Sequence, residues 1–93
     1  MIQRVLFSRS AEKDLRRLDD RNAVAVVAAL DLYVETGQGD VKRLTGFPGA
    51  LRLRVGDYRA SFVMISNRPV VIEVVEVVKR GDAYRKKSKK RTR

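Results

Sequence analysis

The 93 residues predict an α+β domain in which a helical hairpin packs on one face of a small antiparallel sheet, in the order β-α-α-β-β-β. Three observations carry that prediction. Apolar residues recur at helical spacing in two successive segments before residue 37, broken by Asp19-Asp20. Three segments after residue 50 alternate or run apolar in the manner of strands and are joined by short turn-forming stretches. A chain of this length holds one core at most.

Residues 2–7, IQRVLF, alternate apolar and polar side chains and are bounded by SRS, which reads as a short strand. Ser10 is the expected cap of the first helix, with Glu12 and Asp14 in its first turn, where the helix dipole favours acids. Ala11, Leu15 and Leu18 form its narrow apolar stripe. Asp19-Asp20 breaks the pattern and caps a second helix that runs to Thr36-Gly37. Its valines would suit a strand, but a long stretch rich in Ala and Leu without Gly or Pro favours helix. Its core face is Ala23, Val26, Val27, Leu30 and Val34.

Residues 37–50, GQGDVKRLTGFPGA, hold four glycines and a proline and read as an irregular stretch anchored by Val41 and Leu44. Strands are then expected over residues 51–55, 58–65 and 70–78, joined by Gly56-Asp57 and by residues 66–69.

Composition removes several chemistries. The chain has no cysteine, which excludes disulfides and thiolate metal sites and fits a reducing, cytoplasmic compartment. It has no histidine, so the commonest metal ligand and general base are also missing. No apolar run approaches the roughly 20 residues of a membrane-spanning helix, and MIQRVLFSRS is too short and polar for a secretory signal. The net charge of +10 points to a polyanion as partner. Much of that excess is terminal: residues 79–93 carry nine basic residues and one acid. The domain is accordingly expected over residues 1–85, followed by a basic tail at 86–93, either a solvated end or a contact to acidic surfaces.

The stretch LRLRVGDYRASF crowds Arg52, Arg54 and Arg59 into eight residues. A two-residue Gly-Asp loop fits a type II′ turn and would set Val55 opposite Tyr58, Arg54 opposite Arg59, Leu53 opposite Ala60, Arg52 opposite Ser61 and Leu51 opposite Phe62. Alternation then puts Leu51, Leu53, Val55, Tyr58, Ala60 and Phe62 on the helix side, and the three arginines with Ser61 on the other. Directly opposed like charges destabilise a sheet, and guanidinium forks match phosphate, so an anion lying across the pair accounts for them. The competing reading is a solvated outer face, with a four-residue second loop pairing Ile65 with Val70 and bringing Glu76 opposite Arg59. That same register would turn Glu73 toward the helices unless a bulge intervenes.

The last strand ends VVEVVKRGDAYR. Together with F-S-x-S-A at the end of the opening strand, KDLRRL in the first helix, VKRLTGFPGALRLRVGDYR and VKRGDAY, in this order and over residues 1–85, the chain resembles the RelE/ParE superfamily of type II toxin-antitoxin toxins, and more closely its RelE branch. The resemblance implies a RelE-like fold, no cofactor and no metal, and a ribosome-dependent endoribonuclease that cuts mRNA and is held inactive by a cognate antitoxin. It implies catalytic roles for Arg59, Arg80 and Tyr84, with Arg52, Arg54 and Lys79 binding RNA phosphate. The expected reaction is attack of an RNA 2′-hydroxyl on its adjacent phosphate. Where the family's well-known members carry two lysines, this chain has Arg52 and Arg54, which hold their protons too tightly to act as bases. The base therefore stays open between Tyr84 and Lys79. Two other readings remain at this point: a ParE-like inhibitor of DNA gyrase on the same fold, and a nucleic-acid-binding module without catalysis.

Overall fold

The computed structural model describes residues 4–79. Within them the chain forms β1 (Val5–Phe7), α1 (Arg9–Arg16), α2 (Asp20–Thr36), β2 (Asp40–Arg43), β3 (Ala50–Val55), β4 (Tyr58–Asn67) and β5 (Val70–Lys79). The described residues build one five-stranded sheet in the order β1-β5-β4-β3-β2, with both helices on one face. The α+β class and the helical hairpin match the sequence reading. Two details differ: the sheet is mixed, because β1 runs parallel to β5, and β2 is an additional edge strand.

The second helix behaves as its composition dictates. Val26, Leu30 and Val34 recur at helical spacing and are buried, while Ala29 and Tyr33 pack beside them. Gly37 ends it with φ 79, and its N–H donates to the Tyr33 carbonyl at 2.8 Å. That left-handed position carries no steric cost for glycine.

The first helix is capped two residues earlier than the expected Ser10. Ser8 is the cap, its Oγ accepting from the Ala11 N–H at 3.0 Å, while Ser10 is exposed. The shift changes the part played by Asp14. Rather than sitting in the first turn, it lies on the inner face beside Ala11, is only 6 % exposed, and its Oδ2 accepts from the Val77 N–H at 2.9 Å.

That bond closes a gap in the sheet. β1 pairs only with Ile72, Glu73 and Val74, so β5 runs on beyond its short neighbour. Ser8 donates from its backbone N–H to the Val74 carbonyl at 2.9 Å and from Oγ to the Val75 carbonyl at 3.3 Å, and Asp14 then takes the Val77 N–H. Strand backbone groups need partners, and here Ser8 donates to two carbonyls while the Asp14 carboxylate accepts from one N–H. Asp14→Ala should therefore cost about 1 to 3 kcal/mol of stability, the usual penalty for orphaning a buried donor, with much faster amide exchange at Val77. Asp14→Asn keeps an acceptor and should lose less.

The core lies between the helices and the inner face of β3, β4 and β5. Leu53, Ala60, Phe62, Ile72, Val74 and Val77 are buried against Ala11, Val26, Leu30 and Val34. Phe62 is fully buried, its ring 5.4 Å from that of Tyr33 and tilted by 55°.

The β4–β5 hairpin corrects the expected four-residue loop. Asn67 pairs with Val70 across a turn of Arg68 and Pro69 alone, and the register shifts twice, between Ser61 and Phe62 and between Met64 and Ser66. The two extra residues, Val75 on β5 and Ile65 on β4, are both exposed. The Val75 bulge turns Glu73 away from the helix side while keeping Val74 and Val77 in the core, and it sets Glu76 opposite Ser61.

Candidate nucleic-acid interface

The β3–β4 hairpin has the register its turn dictates. Val55 pairs with Tyr58, Arg54 with Arg59, Leu53 with Ala60, Arg52 with Ser61 and Leu51 with Phe62. Gly56 has φ 59, and no described non-glycine residue has positive φ, so Gly56-Asp57 has the signs of a type II′ turn. Opposed residues of such a pair sit about 5 Å apart at Cβ, so the turn forces Arg54 against Arg59.

Two rows of side chains run across the sheet on the face away from the helices. The first is Asp40, Arg54, Arg59 and Val78; the second is Lys42, Arg52, Ser61 and Glu76. β2 thus brings Lys42 beside the arginines. Sequence reasoning missed this residue because the glycines around it masked a four-residue strand, although the polar-apolar-polar run at Asp40, Val41 and Lys42 was its signal.

Arg54 is exposed and Arg52 and Arg59 are half-buried. The Nη1 of Arg52 is buried and has no hydrogen-bond partner among the described residues. An unpaired buried donor is costly, and a charged one more so, so this nitrogen calls for an acceptor beyond the described residues. Among the described residues none of the three arginines is ion-paired, although Asp40 and Glu76 share their rows. The expected opposition of Arg59 by Glu76 does not occur; Val78 stands opposite Arg59.

Arg52, Arg54, Gly56, Asp57, Tyr58 and Arg59 line a cleft of about 90 Å³. That is well below the several hundred Å³ typical of pockets that enclose a whole small molecule. A charged group presented by a larger ligand suits it better, and forked guanidinium donors favour the oxygens of a phosphate. Among the described residues no cluster of carboxylates is placed to hold a metal ion. No helix in them is long and apolar enough to cross a membrane.

Lys79 stands apart from this face. It is exposed and pairs with Tyr58, whose side chain is directed to the helix side, so alternation points Lys79 away from the three arginines. Arg80 and Tyr84 lie outside the described residues, as does the basic tail.

The fold is shared with solved toxin structures. The RelB-RelE antitoxin-toxin complex of Methanococcus jannaschii matches with a TM-score of 0.69 and 20% identity, over 85% of this chain and 94% of that one. The RelBE2 toxin-antitoxin complex of Mycobacterium tuberculosis matches with a TM-score of 0.68 and 28% identity, over 82% and 88%. The isolated Escherichia coli RelE toxin matches with a TM-score of 0.64 and 22% identity, over 92% and 95%. No protein-family model matches the chain, and no curated protein matches it at a significant level.

Proposed function

We propose that this chain, which has the fold of the RelE toxins, is itself the toxin of a type II toxin-antitoxin system, a ribosome-dependent endoribonuclease that cuts mRNA. The observation that carries the reading is the arginine face: Arg54 opposed to Arg59, with the buried, unbonded Nη1 of Arg52 in the next row. A scaffold selected for stability alone has no use for such a pair, whereas the backbone of an RNA strand neutralises it.

In this reading the 2′-hydroxyl attacks the adjacent phosphorus, the bond to the 5′-oxygen of the next nucleotide breaks, and a cyclic phosphate and a free 5′-hydroxyl remain. Arg59, joined by Arg80, stabilises the negative charge that builds on the phosphoryl oxygens, the kind of effect that usually dominates such sites. Arg52 and Arg54 hold the strand; Lys79, directed to the other side of the sheet, takes no part. Tyr84 stacks on a base or assists proton transfer. The expected partners are a cognate antitoxin, in a hetero-oligomer, and the ribosome with its mRNA.

Induced expression in a bacterium, with RNA ends mapped across translated messages, tests the reading. Growth arrest with new ends inside translated codons is the expected result. Filamentation and an SOS response with intact messages would instead assign the chain to gyrase inhibition. Harmless expression with salt-sensitive binding to any RNA or DNA would leave a plain binding module.

A further inference from the structure

We propose that Glu76 is the general base of this reaction, the group that takes the proton from the attacking 2′-hydroxyl; the inference rests on the ribonuclease reading above. Proton removal needs a group within reach of the 2′-hydroxyl that can accept a proton. The chain has no histidine, and the three arginines of the face keep their protons throughout. Lys79 is directed to the other side of the sheet by its pairing with Tyr58.

The bulge at Val75 places Glu76 where a base is wanted. Without that extra residue Glu76 would fall opposite Ala60, on the helix side of the sheet. With it, Glu76 lies opposite Ser61, on the arginine face and diagonal to Arg59. Diagonal neighbours are about 7 to 8 Å apart, within the joint span of a glutamate, an arginine and a phosphate between them. Ser61 is small and buried beneath that span, so nothing bulky stands between the two side chains on their own strands. Glu76 is half-buried, and its carboxylate has no ion pair or hydrogen bond with another described residue.

Among the described residues, the charged and polar groups facing it are few. β4 contributes Arg59 and Ser61, and β3 contributes Arg52 at the next remove. From α1, Asp14 reaches the strand at Val77 but from the helix side, and β1 presents the neutral Leu6, opposite Glu73. Glu73 shares the face but is flanked by Val63 and Leu6, away from the arginines. Asp40 lies on the edge strand beyond Arg54, on the far side from Arg59.

The step balances within the substrate. The Glu76 carboxylate accepts the 2′-hydroxyl proton as the 2′-oxygen forms its bond to phosphorus. The bond from phosphorus to the 5′-oxygen breaks, and that oxygen takes a proton from solvent. Glu76 then returns its own proton to solvent, and no oxidant, reductant or metal is required.

Single-turnover cleavage of a defined, ribosome-bound mRNA by the full chain, measured from neutral into acidic pH, provides the test. Wild-type rate is expected to fall as the pH is lowered, because a protonated carboxyl cannot accept the 2′-hydroxyl proton. Glu76→Gln should cut the neutral-pH rate by about 100-fold or more and flatten that acid limb, with RNA affinity and thermal midpoint unchanged. Glu76→Asp should retain the limb at a reduced rate, which guards against a Gln variant that folds poorly, and Glu73→Gln should behave as wild type. A Glu76→Gln protein that cuts at the wild-type rate with the same acid limb overturns the assignment while leaving the ribonuclease reading intact. A wild-type chain that cuts nothing removes both.

Discussion

Arg59→Ala is expected to lower mRNA cleavage by about 100- to 1,000-fold, the loss that follows removal of one well-placed donor to a developing oxyanion. The same substitution should not weaken the fold. Arg59 stands directly opposite Arg54, has no ion-pair partner among the described residues, and is only half-buried, so its loss relieves a repulsion. The thermal midpoint should hold steady or rise slightly while toxicity disappears. Arg59→Lys keeps the charge but loses the fork, and should recover binding more than rate. Parallel measurement of cleavage, growth inhibition and thermal unfolding checks all three points. Full toxicity in Arg59→Ala would show that the face does not do chemistry. Arg80→Ala is expected to behave like Arg59→Ala.

Phe62→Ala should have the largest effect on stability, about 3 to 5 kcal/mol. Phe62 is fully buried at the middle of β4, pairs with Leu51 on one side and Val74 on the other, and meets the ring of Tyr33. A small domain has only about 5 to 15 kcal/mol to lose, so this change should leave the chain largely unfolded at modest temperature. Urea unfolding followed by circular dichroism measures it. Ser61, the next residue, faces the other side, and Ser61→Ala should cost far less. The contrast between adjacent positions is a direct reading of strand alternation.

The parts of the molecule legible in the sequence are those governed by local rules. The Gly56-Asp57 turn admits one register, and that register alone put Arg52, Arg54 and Arg59 on a common face. The second helix was legible because its apolar spacing and its terminal Gly37 agree.

What escaped depends on partners distant in the chain. Asp14 looked like a helix-dipole acid because nothing near it in sequence announces that Val77, 63 residues away, needs an acceptor. β2 is stabilised by pairing with β3 rather than by its own composition. The parallel direction of β1 follows from how the helical hairpin returns the chain, which alternation does not encode. The bulge at Val75 was visible only as an awkwardly placed Glu73, and the shorter turn with its two bulges moves Glu76 one row from the expected register. Arg80 and Tyr84, assigned by resemblance, lie outside the described residues.

The way α1 completes the sheet also bears on solubility. A sheet has two margins, and an unpaired margin invites strands from other copies to join it. On one margin, the length of β5 that β1 leaves uncovered offers no free ladder at Val75 and Val77, because Ser8 and Asp14 already occupy the groups a foreign strand would seek. On the other, β2 is only four residues long and exposes the charged Asp40, Lys42 and Arg43, a short edge that offers a foreign strand little ladder. Beyond β1 the ladder is closed by hydrogen bonds, and at β2 it is kept short and charged. Asp14→Ala should therefore do more than destabilise: it would open the Val77 donor of a strand as apolar as VVIEVVEVV to pairing with other copies.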